Sequence, residues 1–367
     1  MSEDFFLSNC WEDIILLDRF GNQEILCGIR EINPLIDERF RMLDPIPMVP
    51  RPTPPIVPTR TYQGKRADIK DRPLATISVM NVYDTDMPLP KDVKIKYLRV
   101  VQNILKENHA MGEPMAGYER ENTPRIPLGI VPVEEDGSVY FEAPVAKELI
   151  YQLLDENKTA VHSMRSVSFV FPGEQLSCVG CHEPNDRPPV VKGVPMAMRK
   201  APAKLQPEMD PIEPISYYRQ IKPIFEQTCL PCHRESGKGL QDMSYEALKE
   251  DTFWFSGGMF GTTVGNYPGI HGGSRTIPGK FGARSCRIGK TLLNEAHQKR
   301  VSEKERRMIL LWLDCNSLRL GSFMHEDEQL KGKLVWPSLD VDPANVQGID
   351  GTEPPLKKNF WHENQNN

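Results

Sequence analysis

Tyr217-Tyr-Arg-Gln-Ile-Lys-Pro-Ile-Phe-Glu-Gln-Thr-Cys229-Leu-Pro-Cys232-His233 decides how the C-terminal half of this chain is read. Tyr217 to Gln227 has helical character and runs directly into a Cys-x-x-Cys-His pattern. Downstream, Ser302-x-x-Glu305 is a capping box ahead of Met308, Ile309, Leu311, Trp312 and Cys315, which predicts an amphipathic helix. Phe253 to Gly289, between the two, reads as a Gly-rich loop. Helix, cysteine motif, long loop and helix predict a small, mainly α domain over residues 215–324.

The same pattern occurs earlier, at Cys178-Val179-Gly180-Cys181-His182. Cys-x-x-Cys-His is the attachment pattern of c-type haem. Two thiols three positions apart reach the two vinyl groups of one porphyrin, and the adjacent imidazole is carried to the iron. The predicted cofactors are therefore two haems c. Cys178 and Cys181 would hold the first, with His182 as proximal ligand. Cys229 and Cys232 would hold the second, with His233. The surroundings differ: the first motif follows strands and is trailed by Pro184, Pro188 and Pro189, so its haem would sit in an open, strand-bounded pocket.

Three other uses of these cysteines compete. Zinc knuckles are usually closer together than the 47 residues between the two motifs, and they leave both histidines unexplained. A dithiol redox motif wants a βαβ setting, which the pattern does not supply. Buried structural or disulfide-bonded cysteines are the third reading. For the second haem's distal ligand, His297 just ahead of the capping box is the first candidate and His271 its rival, with Met243, Met259 and Met324 behind them. His162 could face the first haem or a metal, but reads better as a partly buried sheet residue; His109, His325 and His362 read as surface residues. Cys10 with Cys27, and Cys286 with Cys315, are candidate disulfides.

Outward from the motifs, 33 of 367 residues are Pro, nearly twice the ~5% average usage. Seven Pro lie between Pro45 and Pro58, predicting a polyproline II spacer over residues 45–59. A second Pro-rich linker is expected over 187–214. Before the first spacer, Phe5-Phe6-Leu7, Ile14 to Leu17 and Glu24 to Cys27 read as three short strands around the turn Asp18-Arg-Phe-Gly-Asn22, too few to stand alone. Residues 60–186 read as strands: Thr76 to Tyr83, Val93 to Val101, Glu148 to Leu154, Thr159 to Met164, and a hairpin from Ile126–Val133 to Ser138–Glu142 across an Asp-Gly turn. An antiparallel sandwich is predicted, with one short helix near Val101 to Glu107. Residues 325–367 read as a polar tail. The whole is a multidomain α+β chain.

Charge narrows the partners. A net charge of −5 and the lack of a basic run give no support for a nucleic-acid-binding class. The longest apolar run, Met308 to Leu313, is too short to span a membrane. The first residues carry no signal-peptide pattern, although c-type haem requires export.

With these residues in view, a family resemblance emerges. Met164-Arg165-Ser166, Pro172-Gly173-Glu174, Ser177 to Glu183 and Ile130 to Ser138 resemble the middle domain of hydrazine synthase alpha-subunit-like proteins. Ile221 to His233, Thr276 to Arg284, His297 and Leu311 to Asn316 resemble the cytochrome c-like domains that accompany it. Residues 1–44 resemble the last blade of a β-propeller, here a remnant. The resemblance implies a periplasmic or otherwise exported protein, truncated ahead of residue 1, with one haem per C-terminal domain, an unknown redox partner protein and association with other subunits. It puts His297 where the family's distal histidine stands. It also admits zinc at the first motif, because the family directs that histidine to zinc and binds iron through a Tyr four positions later. Here that position is Asp186, so the family's catalytic geometry does not carry over and hydrazine synthesis is not expected. The expected function is electron transfer. The alternatives are a haem oxidoreductase on a small substrate, nitrogenous or other, at an open first haem, a zinc-stabilised binding protein, and a carbohydrate- or surface-associated binding protein with redox decoration.

Overall fold

The structure, a computed structural model, describes residues 4–10, 13–28, 74–106, 113–117, 122–164, 166–181, 193–250 and 277–337, with a few isolated positions between 31 and 55. It divides into two compact units, Met1–Pro58 and Thr59–Asn367.

In the first unit, β1 (Phe5–Cys10), β2 (Asp13–Asp18) and β3 (Gln23–Gly28) form a three-stranded antiparallel meander in the order β1-β2-β3. The β2–β3 turn closes on Asp18, whose carboxylate accepts from the backbone N–H of Phe20 and Asn22 and from the Asn22 amide. Gly21 takes the positive φ (+90°) that the turn needs. Cys27 is a free thiol, so the expected bond to Cys10 is not formed.

The second unit opens with seven strands in two sheets. β4 (Ala75–Val79), β7 (Val139–Ala143) and β10 (Gln175–Cys178) form one, in the order β10-β4-β7. β5 (Tyr97–Asn103), β6 (Arg125–Pro132), β8 (Glu148–Leu154) and β9 (Ala160–Ser163) form the other, in the order β6-β5-β8-β9. One core, including Ile77, Val79 and Phe141 from the first sheet and Leu98, Val100, Leu128 and Leu153 from the second, lies between them. This matches the predicted sandwich with three corrections. β10 runs parallel to β4, so the first sheet is mixed. The Asp-Gly turn forms, with Gly137 N–H donating to Glu134 O, but β6 and β7 then diverge into different sheets and make no hairpin. Among the described residues the short helix near Val101 is absent: the β-branched run continues β5 to Asn103.

The gap between β6 and β7 is filled from downstream. Ala203 N–H donates to Tyr140 O and Gln206 N–H to Ile130 O, while Glu142 and Ile130 donate back. One extended segment thus stitches the two sheets together.

Helices fill the rest. A continuous series of helical turns, together α1, alternates π and α geometry over Tyr217–Ile221, Lys222–Ile224, Phe225–Cys229 and Leu230–Ser236. Then come α2 (Tyr245–Glu250), α3 (Gly282–Ser285), α4 (Arg287–Leu292), α5 (Glu295–Gln298), α6 (Glu303–Asp314) and α7 (Glu326–Leu330). The C-terminal part of the predicted loop is therefore helical, as α3 and the start of α4. The predicted tail is docked as far as 337: the Gln329 amide is buried, accepting from Gly321 and Ser322 and donating to Ser322 O and Met324 O. Residues 338–367 lie outside the described part.

The α6 capping box is present as predicted. Ser302 Oγ accepts from Glu305 N–H, and the Glu305 carboxylate accepts from Ser302 N–H. Glu305 also accepts from Thr228 Oγ1 at 2.5 Å, tying α6 to α1 one residue before Cys229. Ser302 first, then Thr228, hold the Glu305 carboxyl below the usual carboxylate range. A depressed carboxylate contributes stability above its unfolded pKa and loses it as pH falls through the folded one. Ser302→Ala is expected to cost about 1 kcal/mol in urea denaturation at pH 7, and to flatten the loss of stability below about pH 4.5.

A buried ion network joins sandwich and helices. Arg99, on β5 and fully buried, donates to Glu208 with Nε and Nη2, to Gln152 Oε1 (2.8 Å) and Asp314 Oδ2 (3.0 Å) with Nη1, and to Lys158 O (2.9 Å). Asp314, the last residue of α6, also accepts from Ala160 N–H in β9 and Ala283 N–H in α3, each at 2.9 Å. Arg307 adds a second cation to Glu208 at 2.7 Å. Burial works against the Glu208 charge, yet Arg99, together with Arg307 and Lys158, offsets it and holds that carboxyl below its ordinary value.

Candidate functional site

The second motif lies on α1. Helical spacing puts Cys229, Cys232 and His233 on one face, at i, i+3 and i+4. The π turn Phe225–Cys229 is the kind of insertion that re-aims side chains at functional positions. Gly237 (φ +62°) ends the helix, and Gly239 (φ +75°) folds back onto His233. A Cβ at Gly239 would lie 2.6 Å from His233 Nδ1, so only glycine fits there.

A cavity of about 450 Å³ opens against this face. Phe225, Cys229, His233, Gly239, Leu240, Met243, Arg287, Ile288, Thr291, Leu292 and His297 line it. Cys229, His233 and His297, each singled out in sequence, are thus brought to one apolar chamber. His297 sits on α5, whose first turn is capped by Asn294 Oδ1 accepting from Ala296 N–H. Burial, then the neighbouring His233 and Arg300, lower the His297 pKa. His233 Nδ1 is buried without a hydrogen-bond partner. Burial, then Glu305 and Cys232, push the Cys229 thiol up to about 11, whereas catalytic dithiols depress a cysteine. Arg300 Nη1 approaches Cys232 Sγ at 3.6 Å. Met243 reaches the cavity as well; His271 and Met259 lie outside the described residues, and Met324 is not among the lining residues.

The first motif is built differently. Cys178 ends β10 opposite Val79 of β4. Beyond it the chain folds back on residues 80–84: Met80 N–H donates to Cys178 O, Asn81 N–H to Val179 O, and Cys181 N–H to Asp84 O. Gly180 is required, since its Cβ would meet Asp84 O at 2.0 Å. Both cysteines are half-buried against the sandwich core. His182 and Asp186 lie outside the described residues, as do His109 and His362. His162 is buried in β9, as its sheet reading expects, and His325 is exposed. Among the described residues, no three His, Cys, Asp or Glu side chains gather as ligands for a metal ion.

The expected Cys286–Cys315 disulfide is not formed; both are buried free thiols. Cys286 Sγ instead caps α4 by accepting from Gly289 N–H at 3.3 Å, and burial pushes each thiol up to about 12. Sequence reasoning missed the α4 wall of the cavity because it read the region as loop. Arg287, Ile288, Thr291 and Leu292, at helical spacing, were the available signal.

The class defined so far is an α+β chain: a mostly antiparallel two-sheet sandwich ending in one cysteine motif, packed on a helical region that encloses the other. Residues 93–183, from the approach to β5 through the first motif, match the family model of the hydrazine synthase alpha subunit middle domain. Among solved structures, the chain is similar to Kuenenia stuttgartiensis hydrazine synthase, at 15% identity and a TM-score of 0.45. That match covers 68% of this chain and 43% of the other, so this chain spans less than half of its length. No curated protein matches.

Proposed function

We propose that this chain is an exported c-type cytochrome module that transfers electrons, with its better-defined haem in the α1–α4–α5 cavity. The observation that carries the reading is the convergence of Cys229, His233 and His297 on one apolar cavity. The residues fit the group. The paired thiols share a helix face with an imidazole, His233 has a buried nitrogen that no protein atom satisfies, and Gly239 keeps a side chain off its ring.

In this reading Cys229 and Cys232 would hold the porphyrin through thioethers, and His233 and His297 would hold the iron. Held by two imidazoles, the group would supply single-electron transfer and leave no coordination site for substrate. Phe225, Leu240, Met243, Ile288 and Leu292 exclude water. Cys178, Cys181 and His182 would hold a second haem at the sandwich edge, and the β1–β3 meander would be a propeller-blade remnant. No helix among the described residues is long and apolar enough to cross a membrane.

The test is expression with export and c-type maturation, then mass spectrometry of the tryptic peptides. A haem adduct is expected on the peptide holding Cys229 and Cys232. A colourless product with two free thiols there overturns the reading. His297→Ala is expected to open the distal position: the ferric haem turns high-spin and binds cyanide at least tenfold more tightly, followed by optical titration. An unchanged low-spin spectrum would reject His297 as ligand.

A further inference from the structure

Resting on the haem reading above, we propose that Arg287 binds the propionate carboxylates of the haem and so fixes both its orientation and its reduction potential. A porphyrin of this class has an apolar edge with the vinyl groups and an anionic edge with two carboxylates. Cys229 and Cys232 fix the first edge on α1. The second has to meet a cation or water, because a carboxylate enclosed in an apolar wall without a partner is strongly disfavoured.

Among the described residues lining the cavity, Arg287 is the one permanently charged side chain, and the others are apolar or neutral apart from the two histidines and Cys229. It opens α4, and Thr291 follows one turn later on the same face, also at the cavity. A guanidinium offers a planar fork of donors that matches a carboxylate, and it stays charged at every physiological pH. α4 is held at its start by the buried Cys286 cap, and α3 immediately before it by Asp314. The cation therefore stands on a rigid support rather than on a surface loop.

The charge has a predictable electrical effect. A fixed cation favours the reduced, less positive haem, so removing it lowers the potential. The test uses the full chain carrying Cys178→Ala and Cys181→Ala, so that only the second haem attaches. Covalent haem in this parent is established first; its absence overturns the haem reading itself, whatever Arg287 does. In Arg287→Gln the thioethers still hold haem. The reduced-to-oxidised ratio at a fixed potential is expected to fall on the order of tenfold, ~59 mV for a one-electron couple. The propionate bending bands in the resonance Raman spectrum are expected to shift. Arg287→Lys keeps the charge without the fork: most of the potential is retained while the Raman bands still move, and this variant gives the answer if the Gln form fails to mature. Lys299→Gln removes an equal charge from the exposed surface and controls for net charge. Raman bands unchanged in both Arg287 variants, or a potential in Arg287→Gln that moves no further than in Lys299→Gln, would overturn the assignment while leaving the haem reading intact.

Discussion

Cys229→Ala with Cys232→Ala is expected to remove covalent haem from the C-terminal half altogether while leaving any adduct at Cys178 and Cys181 in place. The two motifs sit in separate structural settings, a helix face and a strand end, so each serves as internal control for the other. With neither thiol present no thioether forms, and His233 and His297 are left to hold a dissociable haem at best. In acid acetone the haem of the C-terminal half should extract completely, whereas thioether-bound haem stays with the protein. Alanine in place of the half-buried thiols removes little packing, so folding should be retained. Haem that still resists extraction in the C-terminal tryptic peptide would sink the attachment assignment. Loss of the adduct at both motifs together would show instead that the variant fails before maturation, and the single substitutions then distinguish the two, each retaining one thioether.

Asp314→Ala is expected to be the most destabilising single change in the molecule, costing about 3–5 kcal/mol of the roughly 5–15 kcal/mol typical of a folded domain. Removing its carboxylate strips Arg99 Nη1 of an acceptor and orphans the backbone N–H groups of Ala160 and Ala283. Burial pushes the Asp314 carboxyl up, and Arg99 and those two N–H groups pull it back. Its partners are thus what make the charge tolerable; without it the two N–H groups lose their acceptor and Arg99 loses one of its two carboxylates. With a slope of ~3 kcal/mol per M urea, the unfolding midpoint should fall by at least about 1 M. Asp314→Asn keeps the shape and part of the hydrogen bonding and should fall between. A loss under about 1 kcal/mol in Asp314→Ala would contradict the network's role.

What could be read from the sequence was local. Alternation of β-branched residues located nearly every strand, and Ser302-x-x-Glu305 located the start of α6, because those signals lie within a few positions of each other. The cysteine motifs stood out in the sequence for their fixed spacing and His297 for its place ahead of the capping box; that Cys229, His233 and His297 line one cavity is a matter of tertiary packing. Strand pairing was not: the Asp-Gly turn after β6 looked like a hairpin, and only Ala203 and Gln206, far downstream, show that its arms separate. The partnership of Arg99 with Glu208 and Asp314 spans 109 and 215 positions, a distance at which composition and periodicity carry nothing. Cys286 and Cys315 misled for the opposite reason. Two cysteines invite pairing, yet one is needed as a helix cap and both are enclosed in the core.

α6 is a strut fastened at both ends, through Glu305 to the turn before Cys229 and through Asp314 to Arg99 of the sandwich. The helical region is consequently no detachable cassette. Excised on its own, it would carry a bare carboxylate and an uncovered apolar flank where β5 and β9 had been. Grafting the helical region onto another scaffold would mean transplanting the sheet along with it.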